Sequence, residues 1–303
     1  MKKDLDRRRF LKIAGTSMGV GALYTVWPSL GRSAEAAELA RRLGAKTGER
    51  PTPFTFAQLS DAHVGFDGPN GNRALEKAVA TINGLPRRPD LVLFTGDLTH
   101  DTEKPGEHDA GLDGGELFRS IFGPTSYSFD HRGVHFIALD NVSRAKPEVG
   151  EEQRAWLAKD LSRFHHTTPI VVFTHRPLFD LRPDWEWFTS DGDDVMNLLA
   201  PYENVTVLYG HIHREDHHTI GHAQHYAARS LSFAFPDPDK VEEKKAIPFD
   251  KDQPFKNLGL RLIDRTPGRA AHVDTVRVQD VELAMNELSG TEGFNQLLKP
   301  ATF

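Results

Sequence analysis

Five short polar clusters carry residue types from which a metal site or an acid-base site can be built. They are Asp61-x-His63, Gly96-Asp97, Gly106-Glu107-His108-Asp109, Thr174-His175 and Gly210-His211-x-His213. Imidazole nitrogens mixed with carboxylate oxygens suit iron, manganese, zinc or cobalt far better than calcium or magnesium. The chain has no cysteine, which excludes disulfides, thiolate catalysis and zinc held by sulfur, so a transition metal here must rest on histidine and carboxylate. Fifteen histidines make that possible. Taken singly, an Asp-x-His or a Gly-His-x-His arises often by chance, and each cluster is explained as a polar cap on a strand or helix end. The argument for a site comes from their number and from what precedes them.

Each cluster but the third follows an apolar run. Phe54–Leu59 ends in Ser60-Asp61, Leu91–Phe94 in Thr95-Gly96-Asp97, Ile170–Phe173 in Thr174-His175, and Val205–Leu208 in Tyr209-Gly210-His211. Near-continuous apolar runs of this length predict strands covered on both faces. Helical patterns over Arg73–Leu85, Gly150–Phe164 and Asp191–Leu199 alternate with them and predict an α/β sheet with crossovers. Ligands of such sheets sit beyond the carboxyl ends of the strands, where these clusters fall, so they can converge. With a side-chain period of two, Asp61 with His63, and His211 with His213, point the same way if the chain stays extended there. The runs 126–129 and 134–139, joined by the turn Asp130–Gly133, predict a hairpin, and His217–Ala227 is expected to pair with Leu258–Asp264 and Ala271–Val278. Asp237–Gln253, rich in charge and proline, reads as a long exposed loop.

In kind and in order the clusters resemble the signature blocks of the calcineurin-like metallophosphoesterases, over roughly Phe54 to Arg277. The resemblance implies a layered α/β sandwich of two mixed sheets, packed face to face and flanked by helices. It implies a phosphodiesterase or phosphomonoesterase in which two transition metal ions activate a hydroxide for in-line attack and clamp the phosphoryl oxygens. Asp97 would bridge the ions, Asp61, His63 and His213 would complete one, and His175, His211 and Glu107 the other. His108 would be the catalytic histidine that stabilises the phosphoryl group or protonates the leaving oxygen, with Asp109 orienting it. The partner is a small phosphate-ester substrate.

Two departures from the family pattern set further expectations. Glu107 stands where the family has asparagine, adding a negative charge beside an anionic substrate. Only residues 98–105 separate Asp97 from Gly106, where the family inserts a helix and another strand. A parallel crossover needs a dozen residues or more, although eight extended residues still span roughly 26–29 Å. A loosely held Glu107 and His108, a weakened second-metal site and reduced turnover are therefore expected. The alternative is an inactive metal-binding or interaction protein on the same fold, and a third reading is a binuclear hydrolase of other esters. Other residues that could line the cleft have plainer readings. His100, Asp101 and Glu103 read as a polar loop, Asn141 as a turn residue, and His217, His218, His222 and His225 as strand-face or solvated histidines. Trp185, Trp187 and Phe188 read as core packing, with a wall for an organic leaving group as the rival.

The first 36 residues read as a signal peptide. Arg7-Arg8-Arg9-Phe10-Leu11-Lys12 resembles the twin-arginine motif, and a glycine-containing apolar stretch leads to Ala34-Glu35-Ala36, a small-residue cleavage pattern. The export machinery would be a partner and the periplasm, or the medium, the destination. The mature protein would have no permanent membrane span. Residues 37–53 form an arm and linker, and 54–303 one domain. A formal charge of −6, with no basic run beyond the N-terminus, argues against nucleic acid as a stable partner.

Overall fold

A computed structural model describes residues 52–66, 68, 70, 72–100, 108–110, 114–266 and 275–283. The proposed signal peptide, most of the 37–53 arm, Glu107, and Asp101 and Glu103 lie outside the described residues.

Ten strands and the helices among the described residues follow the alternation read from the sequence. They are β1 (Phe54–Leu59), α1 (Arg73–Gly84), β2 (Leu91–Phe94), α2 (Glu116–Phe122), β3 (Tyr127–His131), β4 (Val134–Ala138), α3 (Glu151–Leu161) and β5 (Ile170–Phe173). A 3-10 turn (Pro183–Trp185), α4 (Gly192–Leu199), β6 (Val205–Tyr209), β7 (Asp216–Ile220), β8 (Ala223–Ala227), β9 (Gly259–Thr266) and β10 (Thr275–Glu282) complete the order. One sheet runs β10-β9-β1-β2 and the other β3-β4-β5-β6-β8-β7, both mixing parallel and antiparallel pairs.

Alternation along each strand builds the layers. Phe54 and Phe56 of β1, Leu91 and Leu93 of β2, Val134, Phe136 and Ala138 of β4, and Val171 and Phe173 of β5 share one core between the sheets. Ala57, Leu59 and Val92 face outward onto Ala74, Leu75, Ala78 and Ile82 of α1. On the opposite side Ile137, Ile170, Val172, Val205 and Val207 pack on Leu157 and Leu161 of α3 and Val195 and Leu199 of α4. The predicted sandwich is therefore observed. Burial on both strand faces is what made these runs read as continuously apolar.

Three features differ from expectation. The run 217–227 is split by Gly221 (φ 62°) and His222 into the β7–β8 hairpin beside β6. Its expected partners instead form the β9–β10 hairpin beside β1 in the other sheet. Helix α2 carries no long periodic stretch and was not foreseen. Among the described residues the first sheet ends at β2, in keeping with a connection after Asp97 too short for another strand. No helix among them is long and apolar enough to cross a membrane.

A candidate binuclear metal centre

The exits of β1 and β2 are zipped together beyond the strands. Asp61 N donates to Gly96 O (3.0 Å), His63 N to Asp97 O (2.9 Å) and Val64 N to Leu98 O (2.8 Å). Hydroxyls of Ser230 and Ser232 donate to the Asp61 carbonyl at 3.0 and 2.9 Å, bracing this turn from the loop after β8. The backbone here is not extended. Asp61 (φ 53°), His63 (45°), Asp97 (49°), His211 (66°) and His213 (51°) are all left-handed. The period-of-two argument is thus corrected: turns at strand ends, not extension, aim these side chains. Left-handed non-glycine residues are uncommon, cost roughly 1–3 kcal/mol each, and concentrate at functional sites.

Close approach explains two glycines. A Cβ on Gly96 (φ 94°) would lie 2.4 Å from His175 Nδ1, and one on Gly210 would lie 1.9 Å from Ser60 Oγ.

The turns bring together six of the residues singled out from the sequence. Asp61, His63, Asp97 and His213 present ligand atoms within 4.8 Å of one another, and all four are buried. His63 Nε2 stands 3.1 Å from His213 Nε2, and His211 Nδ1 3.2 Å from His175 Nε2. Asp97 Oδ2 lies between the two pairs, 3.6 Å from His63 Nε2 and 3.5 Å from His175 Nε2. His213 Nε2 is 3.3 Å from Asp61 Oδ1.

The opposite nitrogens fix the tautomers. His175 Nδ1 donates to Thr95 O (2.8 Å), His213 Nδ1 to Phe233 O (2.8 Å) and His211 Nε2 to Glu186 O (3.2 Å). Each of these rings therefore turns a lone pair toward the centre, as second-sphere hydrogen bonds do for metal-ligating histidine. His211 and His175 so face each other with two acceptors 3.2 Å apart. Such a pair is repulsive until a cation lies between.

Electrostatics agree. Burial pulls His63 down to about 3 against the opposing Asp97 charge, and burial with the Arg176 cation holds His211 well below its usual range. Burial pushes the other way on Asp97 and Asp61, yet His175 and His63 around the one, and His213 beside the other, keep both below the ordinary carboxylate range. Neutral imidazoles and ionised carboxylates are the forms that bind a transition ion, so this donor set fits two such ions sharing Asp97.

His108 reaches the centre despite the short connection. Its backbone N donates to Asp97 Oδ1 (3.1 Å), and its ring lies 4.6 Å from that of His63. Asp109 serves otherwise than foreseen: its carboxylate accepts from Leu98 N, Thr99 N and Thr99 Oγ1, each at 2.8 Å, clasping the β2 exit. Burial and the Asp97 charge raise Asp109 to about 6, opposed by the bonds from Thr99 and Leu98.

His100 also belongs here rather than to an exposed polar loop. Its Nδ1 lies 3.2 Å from His63 Nδ1, and its ring stacks on His108 at 4.2 Å. With His63 Nε2 turned to the centre, His63 Nδ1–H donates to His100. Asn141 is more than a turn residue: buried, it donates to Arg176 O (3.0 Å) and accepts from Arg176 N (3.3 Å), holding the backbone next to His175. Trp185 and Trp187 are buried in a core cluster. His217, His218 and His225 lie on the β7–β8 hairpin, and His222 bonds to Tyr202 O.

No family model matches this sequence. It is 27% identical to a probable glycerophosphodiester phosphodiesterase GpdQ of Arcobacter nitrofigilis, over 52% of this chain and 71% of that protein. It is also 27% identical to the human serine/threonine-protein phosphatase CPPED1, over 56% of this chain and 72% of that protein. Among solved structures, the Plasmodium inner-membrane-complex anchor GAP50 superposes with a TM-score of 0.50 at 14% identity, covering 78% of this chain and 87% of that one, a likeness of fold.

Proposed function

We propose that this chain is a calcineurin-like metallophosphoesterase, hydrolysing a phosphodiester or phosphomonoester. The observation that carries the reading is the double imidazole pair, His63 with His213 and His211 with His175, on either side of the Asp97 carboxylate. The names of the two relatives support the reaction class. Asp61, His63 and His213 would hold one ion, His175 and His211 with Glu107 the second, and Asp97 both. Iron, manganese, zinc and cobalt are the ions such donors favour. When bound, a metal pair supplies a water of lowered pKa as nucleophile and neutralises charge on the phosphoryl oxygens.

The chain's own residues do the rest. The carbonyls of Thr95, Phe233 and Glu186 hold imidazole protons away from the centre. His108, tied through its backbone to Asp97, would give a proton to the leaving oxygen, a contribution of about 10²–10⁴-fold.

Metal analysis combined with p-nitrophenyl phosphate, its bis-ester and p-nitrophenyl acetate tests the proposal. Hydrolysis of the phosphate esters, lost in Asp97→Ala, is expected. A protein that takes up metal yet turns over none of these esters is the inactive binder instead, and turnover of the acetate alone marks a carboxylesterase.

Export is part of the same proposal, supported by Arg7-Arg8-Arg9-Phe10-Leu11-Lys12 and Ala34-Glu35-Ala36. Replacing Arg7 and Arg8 by lysine should retain the protein in the cytoplasm, and unaltered periplasmic delivery overturns this part.

A further inference from the structure

Phe66, in the turn after His63, and Phe233 and Phe235, in the loop after β8, line one flank of the metal centre. Phe66 and Phe233 have ring centroids 5.6 Å apart, as do Phe233 and Phe235. Phe233 lies 4.3 Å from the His213 ring and 5.5 Å from that of His63, and Phe66 lies 4.8 Å from His100. All three phenylalanines are only half-buried, although the histidine ligands they touch are buried. At the far end the Lys244 ammonium stands 5.5 Å from the Phe235 ring and donates to Trp185 O (2.9 Å), capping that ring. The open stretch of the strip is therefore Phe66 and Phe233, beside the imidazoles of the first ion and next to the His100–His108 stack.

Packing alone does not call for this arrangement. Apolar rings left partly in water beside a polar centre are a surface awaiting a partner, and offset rings at these spacings favour another flat π-face. We infer that the Phe66–Phe233 strip binds an aromatic or heteroaromatic arm of the phosphoester, so that the enzyme prefers aryl or nucleobase-bearing esters over short alkyl and polyol ones. This rests on the phosphoesterase reading and deepens it.

Phosphonates separate the two ideas, because they bind without a leaving group. Competitive inhibition of bis(p-nitrophenyl) phosphate hydrolysis by phenylphosphonate and by methylphosphonate is measured on the metal-loaded enzyme, together with direct binding by calorimetry. Stacking of a ring on an aromatic side chain predicts about tenfold tighter binding of the phenyl compound. In Phe233→Leu, which keeps apolar bulk and loses the flat face, and independently in Phe66→Leu, that ratio should fall toward unity. Equal binding of both phosphonates to the wild type overturns the strip and leaves the phosphoesterase reading intact. So does a ratio that neither variant changes, or an equal weakening of both compounds in each variant, which marks a packing role. If neither phosphonate binds and no phosphate ester is turned over, the underlying reading falls and the strip with it.

Discussion

A methyl group at Gly210 should test the frame around the metal centre more sharply than removal of a ligand. In Gly210→Ala the new Cβ would stand 1.9 Å from Ser60 Oγ, 2.8 Å from Asp61 Oδ2 and 2.9 Å from Thr95 O, all inside the 3.0 Å that real Cβ atoms keep. The Ser60 hydroxyl can swing away, since its bond to Thr95 O is long at 3.4 Å. The other two neighbours cannot give without consequence. Asp61 Oδ2 accepts from His211 N at 3.2 Å, and Thr95 O accepts from His175 Nδ1 at 2.8 Å. Overpacking of this kind costs about 1–3 kcal/mol, which at roughly 2–4 °C for each kcal/mol in a domain of this size lowers Tm by roughly 2–12 °C. A shift approaching 1 Å in a positioning group costs about 10²-fold in turnover. Scanning calorimetry, metal stoichiometry and kcat/KM on bis(p-nitrophenyl) phosphate read the three effects. Adding Ser60→Ala removes the hydroxyl clash, so the double variant should recover part of the lost Tm and little of the activity. A single variant with unchanged Tm and kcat/KM within twofold of wild type would refute the reasoning, because the chain would then have room the distances deny.

The remaining expectations concern the second sphere and pH. His100→Ala removes the acceptor for His63 Nδ1 and should weaken the ion held by Asp61, His63 and His213 by about 10–100-fold in metal titration; undiminished affinity refutes that role for His100. Asp109→Asn keeps an oxygen for Thr99 but turns an amide toward Leu98 N, so about 1–3 kcal/mol of stability should be lost in urea unfolding, and an unchanged midpoint refutes it. The pH dependence has a defined sign. His63 falls to about 3, His225 to about 4 and His211 shifts the same way, so their contribution is full above 6.5 and is lost as pH drops below it, while Asp109, raised to about 6, gains stability over the same descent. Three histidines against one aspartate leave roughly two protons, or about 2.7 kcal/mol lost per pH unit between pH 6 and 5 in metal-free protein. Urea midpoints that hold steady or rise on that descent refute the balance.

What the sequence disclosed and what it withheld have separate physical causes. Strands buried on both faces leave continuous apolar runs, and a polar residue just after such a run is conspicuous, so Asp61, Asp97, His175 and His211 stood out together. The helices α1, α3 and α4 were legible to within a few residues from the helical patterns that alternate with those runs. His100 and the strip phenylalanines sit in irregular segments with no period to mark them. Phe233 and Phe235, two apart and just beyond a strand, were the faint signal. The role of Asp109 depended on which backbone donors would be unpaired at the β2 exit, which no spacing encodes. Gly221 (φ 62°) opens the two-residue turn between β7 and β8, a geometry that fits the twist of paired strands, and reading 217–227 as one run passed over that signal.

The left-handed turns at Asp61, His63, Asp97, His211 and His213 have one more consequence. At Asp61, His63 and Asp97 their shape is imposed by the zipped exits of β1 and β2 and by the serine braces, and His211 is tied in through its N–H to the Asp61 carboxylate, bonds made within the protein alone. The cavity is thus cast before its contents arrive, like a mould set ahead of the metal poured into it. Stripping the protein with a chelator should leave a folded shell that refills on simple mixing, with no slow step of chain rearrangement in the recovery.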